Sequence, residues 1–184
     1  MDRFDWIEVK QTHKDAPASD DLSGSDRQPF ALARQLRAAG HFKSAVARYE
    51  EAVGLESTNY QAWRELIDTL VRARQIKHAS RQAHELRTLY PDVVEMYASH
   101  ALVLLHNKKI EEAKDRVKQG YAAGDRSWYL SCVQTEIILQ DNSGYSREAL
   151  SCLEKATMTA DNPWEAYFIG GWILLDVDLP TWAA

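Results

Sequence analysis

The chain lacks most of what would point to an enzyme, a membrane protein or a secreted scaffold. Its 184 residues contain two cysteines, Cys132 and Cys152, too few for a disulfide framework. They read as free thiols on neighbouring helices. No apolar run is long enough to span a bilayer. The opening residues MDRFDWIEVK have no apolar core of the secretory type, and a cytoplasmic location is the expectation. Positive charge is not in excess. The formal net charge is −5, so bulk attraction to nucleic acid or to an anionic membrane is not expected, although a local basic patch remains compatible with it. No glycine-rich phosphate loop appears. His84-Glu85 is followed by Leu86-Arg87-Thr88, so the HExxH metal motif is absent. His78 and His84, like His100 and His106, are six residues apart, a spacing that does not set both on one helix face. No motif places a cysteine beside a histidine. The sequence therefore offers no catalytic, metal or cofactor-binding residue, and the expectation is a protein that is not an enzyme.

What is present is a period. Ala45, Ala79 and Ala113 lie 34 residues apart, and Ala149 follows 36 later. Each sits in a similar phrase: HFKSAVARYEEAV, QIKHASRQAHELR, KIEEAKDRVKQGY and YSREALSCLEKAT. Phe42, Val46, Tyr49, Ala52 and Val53 complete an apolar face around Ala45 at helical spacing, and an alanine facing inward implies a close neighbour. Phe42, Ile76 and Ile110 stand three residues before the alanine, and Gly40, Arg74 and Lys108 five before, at a turn. A second helical pattern precedes each phrase: FALARQLRAAG, YQAWRELIDTLVRARQ, VEMYASHALVLLHNKK and SWYLSCVQTEIILQDN. The unit is helix, short turn, helix, repeated at 34, which is the tetratricopeptide period.

On these residues the chain resembles the tetratricopeptide repeat family from about Asp26 onward. The expected repeats are 26–59, 60–93, 94–127 and 128–163, followed by one further helix at 164–176 and a tail at 177–184. The second repeat matches best, with Trp63, Leu66, Leu70, Ala79 and Pro91. The third has Tyr97, Ala101, Leu104 and Ala113, but Gly120 stands where the family usually has alanine and Asp125 where it has proline. The two extra residues of the fourth are expected in the turn 141–144. The last helix has Tyr167, Gly170, Gly171 and Leu174 at family positions. The resemblance implies an all-α, right-handed solenoid of antiparallel helix pairs over residues 28–176, and a role in binding proteins or peptides as a scaffold within a larger assembly. Self-association as a homodimer, or service as the regulatory part of a larger protein, are the alternatives.

In the family, the first helix of each repeat lines the inner groove with its positions 2, 5, 9, 12 and 13. Here these are Arg27, Phe30, Arg34, Arg37 and Ala38, then Gln61, Arg64, Asp68, Val71 and Arg72. The third and fourth repeats supply Glu95, Ala98, Leu102, Leu105 and His106, then Tyr129, Cys132, Glu136, Leu139 and Gln140. Glu165, Phe168, Trp172 and Leu175 follow in the last helix. One end of the groove is thus basic. Arg34, Arg37, Arg64 and Arg72 are candidates for acidic groups of a partner, the alternative being pairing with the chain's own acids such as Glu50, Glu51, Glu65 and Asp68. The other end is apolar, with Phe168, Trp172 and Leu175 as candidate anchors. The carboxylate clamp that holds chaperone tails does not match: Phe30, Arg34, Glu65, Glu95 and Ser99 replace its lysines, asparagines and arginine.

The ends differ from the repeats. Residues 11–28 carry almost no large apolar side chain and read as a linker. Before them Phe4, Trp6 and Ile7 are too apolar for a simple tail; the readings are a short segment that docks on a surface of this or another chain, a disordered tail with incidental aromatics, and an extended strand belonging to a further domain. The helix EAYFIGGWILLDVD is too apolar to be left in water, so either another chain or the tail Leu179-Pro180-Thr181-Trp182 is expected to cover Phe168, Trp172 and Leu175.

Overall fold

The computed structural model describes residues 29–124, 127–141 and 146–176, with side chains through residue 173. The N-terminal aromatic segment, the linker, Arg27, the turn residues 142–144, Asp125, the Leu174 and Leu175 side chains and the tail lie outside the described residues. Among those described there are nine helices and no strand: α1 (Pro29–Ala38), α2 (Phe42–Leu55), α3 (Tyr60–Arg72), α4 (Ile76–Leu89), α5 (Val94–His106), α6 (Ile110–Ala123), α7 (Trp128–Asp141), α8 (Arg147–Thr159) and α9 (Pro163–Asp176).

The repeat register fixes how they pack. Consecutive helices pair as α1 with α2, α3 with α4, α5 with α6 and α7 with α8, and each pair stacks on the next. Ala45, Ala79 and Ala113 are 0 % exposed and Ala149 is 2 % exposed, so the periodic alanine marks the closest approach within each pair. In the fourth pair Thr135 Oγ1 donates to the Ala149 carbonyl at 3.3 Å. Gly120 permits a second close approach. A Cβ there would lie 3.1 Å from both Leu130 methyls and 3.2 Å from Tyr97 Cβ, so its absence lets α6 settle against α5 and α7.

The turns repeat too. Gly40, Arg74 and Lys108, spaced by 34, have φ of 77°, 60° and 63°. This left-handed residue ends α1, α3 and α5 in the same hydrogen-bonded motif. His41, Gln75 and Lys109 N–H reach back to Leu36, Leu70 and Leu104 carbonyls at 2.8, 2.9 and 3.0 Å. Between α5 and α6 lie three residues, and between α7 and α8 five, which accounts for the longer fourth repeat. Asn59 caps α3 by accepting from Ala62 N–H, Ser127 caps α7 through Leu130 N–H, and Ser146 caps α8 through Glu148 N–H.

Leu66, Ile67, Leu70, Met96, Leu105 and Leu130 form the centre of a continuous core along the stack. Each such side chain contributes roughly 1.5–3 kcal/mol by leaving water. α9 packs on α7 and α8 as α7 packs on α5 and α6, burying Ala166, Ile169 and Ile173.

Candidate functional site

The first helices of the five units, α1, α3, α5, α7 and α9, face a common lumen, and it is filled with charge. Glu65, on α3, is 1 % exposed at its centre. Its Oε2 accepts from Tyr49 O–H at 2.7 Å and lies 3.4 Å from Arg34 Nε and 3.6 Å from Arg37 Nη1. Its Oε1 accepts from Gln61 at 3.1 Å and from Arg64 Nη2 at 3.3 Å. One turn on, Asp68 accepts from Arg72 Nε at 3.1 Å and lies 3.8 Å from Arg37. Glu165, contributed by α9, accepts from Arg34 at 2.7 Å and from Arg64 at 3.0 Å. Glu136, on α7, meets His106 of α5 at 2.8 Å. The lumen thus sets the four guanidiniums of Arg34, Arg37, Arg64 and Arg72 against the four carboxylates of Glu65, Asp68, Glu136 and Glu165.

Aromatic rings complete the lining. Arg34 lies over Phe30 at 5.8 Å, Arg37 over Phe168 at 5.4 Å, Arg64 over Trp128 at 4.6 Å and Arg72 over Trp172 at 5.3 Å. Every lumen arginine therefore has both a carboxylate and a ring, an arrangement that suits the flat, weakly hydrated guanidinium. Burial works against charge here, yet the charged forms prevail. Burial pushes Arg37 down, and Asp68 and Glu65 more than reverse this, leaving its pKa raised. Burial likewise pushes Asp68 up, and Arg72 and Arg37 hold it below the ordinary carboxylate range. Glu165 is also lowered, its partial burial outweighed by Arg64 and Arg34.

The sequence-predicted residues are therefore brought together, in a particular way. Arg37, Arg64 and Arg72 are turned inward to acids of the same chain, and Arg37 and Arg64 are 6 % and 4 % exposed. Arg34 keeps 38 % of its side-chain exposure. Of the acids weighed as internal partners, Glu65 and Asp68 take that role; Glu51 pairs with Arg48 and Glu50 lies by His78 on the outer surface. Phe168 and Trp172 point into the lumen, where Trp172 also meets Phe42 at 5.9 Å, so this stripe of α9 is covered by α1, α2 and α3. A different face of α9 is open: Trp164 is 79 % exposed and Tyr167 59 % exposed, and a Cβ on Gly171 would meet nothing.

Two spaces remain. A cavity of about 120 Å³ inside the lumen is lined by Phe42, Asp68, Arg72, His106, Glu136 and Trp172 among others. An open cleft of about 500 Å³ separates α1 from the N-terminal half of α9, lined by Ala31, Arg34, Gln35, Ala38, Asn162, Trp164 and Phe168 with Arg37 and Glu165. The part played here by Trp164, Gln35 and Asn162 is not visible from the groove register, because these side chains lie on its rim. Burial pushes the Cys132 thiol up to about 12, so it is no nucleophile at neutral pH. Among the described residues no group of three metal-ligating side chains occurs, and no helix is long and apolar enough to cross a membrane.

No protein-family model matches the sequence, and no curated protein matches it. Solved structures do. A thermophilic tetratricopeptide protein of Thermus thermophilus superposes with a TM-score of 0.60 at 17 % identity, over 84 % of each chain. A MamA double mutant superposes at 0.48 and 12 % identity, over 71 % of this chain and 72 % of that one. The likeness to the first, joined to the 34-residue register of buried alanines and left-handed turns, shows that this chain has the fold of a tetratricopeptide solenoid.

Proposed function

We propose that the protein is an interaction scaffold that recognises a protein or peptide partner in the cleft between α1 and α9. The observation that carries this reading is the open face of α9. Trp164, which lines the largely apolar cleft, and Tyr167 beside it on α9 stand in water with their rings 6.2 Å apart. Exposed aromatics bordering a concave surface are the usual composition of interaction hot spots. The lumen itself is a poor peptide groove, since its carboxylates are already spent on its own arginines, histidine and tyrosine, and the donors left over on Arg37 and Arg64 are buried. Arg34, Arg37 and Phe168 reach both lumen and cleft, and since Arg37 is buried, Arg34 and Phe168 are the sequence candidates that fit a direct contact. Arg37, Arg64 and Arg72 fit a supporting role, holding the walls.

The test is affinity capture with quantitative mass spectrometry, comparing wild type with a Trp164→Ser/Tyr167→Ser variant whose circular dichroism is unchanged. A partner lost by at least tenfold in the variant supports the cleft. An unchanged partner set overturns it. Sedimentation over a concentration series runs alongside: a dimer abolished by the same two substitutions replaces the scaffold reading with self-association.

A further inference from the structure

The cleft has a candidate occupant in the same chain. We infer that residues 2–9, DRFDWIEV, dock into the space between α1 and α9, with Phe4 and Trp6 against its apolar walls. The inference rests on the proposal that this cleft is a recognition surface and names what occupies it.

Three observations converge. The first is attachment. The described chain begins at Pro29, and the cleft starts two residues later at Ala31, running along α1 to Ala38. Residues 10–28 can span at most about 65 Å, several times the roughly 15 Å length of α1, so residues 2–9 reach every part of the cleft. The C-terminal tail is placed worse. It leaves α9 after Asp176, about 20 Å along that helix from Asn162, where the cleft lies.

The second is chemistry. The walls include the aromatic side chains of Trp164 and Phe168 and the small side chains of Ala31 and Ala38, which leave room for large ones. Polar groups suited to a peptide backbone, Gln35 and Asn162, sit on the rim. Arg34 adds a part-exposed guanidinium. The segment supplies the complement: Phe4, Trp6 and Ile7 interleaved with Asp2, Asp5 and Glu8. The three acids against Arg3 leave it negative, and the acids can approach the exposed side of Arg34, whose other side pairs with Glu165 and Glu65. Glu165 faces inward to Arg34 and Arg64 and so does not present a competing bare carboxylate.

The third is tethering. A ligand on the same chain acts at an effective concentration in the millimolar range, so a weak contact suffices to fill the cleft. An external partner with the same acidic and aromatic pattern then competes against this internal segment.

Paramagnetic relaxation in the 184-residue chain tests this. A nitroxide is attached through Val9→Cys in a Cys152→Ser background, Cys132 being buried. The expected result is a loss of at least half the intensity of the Ala31, Gln35 and Asn162 amides and the Trp164 indole. Phe4→Ser/Trp6→Ser should restore those signals. A 1:1 mixture of labelled unenriched chain and unlabelled ¹⁵N chain should show no such loss. No broadening, broadening that survives Phe4→Ser/Trp6→Ser, or broadening carried only by the mixture each overturns the inference. These outcomes are independent of the capture experiment, in which an external partner can still depend on Trp164 and Tyr167.

Discussion

Glu65→Gln removes one unit of charge and swaps one oxygen for an amide nitrogen, and the lumen offers that amide no orientation that works. With the nitrogen in the Oε1 place it confronts Gln61 Nε2 and Arg64 Nη2, which stand 3.1 and 3.3 Å away as donors. With the nitrogen in the Oε2 place the Tyr49 hydrogen bond at 2.7 Å has to reverse, the phenol accepting instead of donating, and the amide donors point at Arg34 and Arg37. Either way four guanidiniums face three carboxylates at a site only 1 % exposed. Breaking a buried charge network by removing one member costs about 3–5 kcal/mol. In urea, with the slope for a chain of this size near the upper end of the usual range, roughly 3 kcal/mol per molar, the unfolding midpoint should fall by about 1–2 M. The network reading makes a second demand. Among the described residues Arg37 Nη1 has no hydrogen-bond partner and its charge is answered by Glu65 and Asp68, so Arg37→Met should partly rescue Glu65→Gln by restoring three charges of each sign. The double variant should be more stable than Glu65→Gln alone, with a coupling of at least about 1 kcal/mol in the four-corner cycle. Circular dichroism at 222 nm supplies all four curves. A single-variant loss below about 1 kcal/mol, or no rescue by Arg37→Met, refutes the claim that the lumen is held by balanced charge.

Other sites give sharper local tests. His100 is 7 % exposed; burial, together with Arg116, Arg87 and His84, lowers its pKa to about 4, Glu112 alone acting the other way. The unfolded chain therefore takes up a proton near pH 6.5 that the fold refuses until about pH 4, and stability should fall as pH drops across that window. Thermal melts of His100→Leu should lack this component while keeping the carboxylate contribution; an unchanged pH profile would falsify the assignment. Lys108 holds a left-handed φ of 63° without a glycine's freedom, so Lys108→Gly should gain about 1 kcal/mol in urea unfolding, and a loss would show that the turn is not strained. Gly54 and Gly120 should respond oppositely to alanine. Gly54 has open space and should gain about 0.5–1 kcal/mol from helix propensity, whereas at Gly120 the 3.1 Å approach to Leu130 should cancel or reverse that gain. Equal melting shifts at the two sites would contradict the close packing of α6.

The fold was legible because it is written locally and four times. Each buried alanine sits 34 or 36 residues from the last, and a single phrase such as KIEEAKDRVKQGY carries both the turn residue and the packing face. The lumen was legible only in part. The family register puts Arg34, Arg64, Asp68, Glu136, Glu165 and Trp172 on one surface, and they are there. Which acid answers which arginine depends on how tightly the solenoid curls. Arg34 and Glu165 are 131 residues apart, and no local pattern encodes that the two ends meet. The same curl decides which side of α9 is wet. The sequence marks Phe168, Trp172 and Leu175 as a stripe in need of cover. The curl brings α1, α2 and α3 over Phe168 and Trp172, and Trp164 and Tyr167 are left outside instead. One helix can be apolar all round, and its sequence alone does not rank its faces.

Glu165 also changes what kind of object the stack is. A row of repeats ordinarily behaves as a one-dimensional array in which each unit senses only its neighbours, and the ends fray first because they have one neighbour instead of two. By reaching Arg34 and Arg64, Glu165 joins the last unit to the first two and turns the row into a loop. In such a loop α1 and α9 are not independent: opening α9 strips charge partners from α1 and α3, and loosening α1 does the same to α9. Hydrogen exchange should then report α1 and α9 opening together rather than in sequence. Because the joint is ionic and Glu165 keeps 16 % of its side chain in contact with solvent, added salt should weaken it and let the two ends come apart separately.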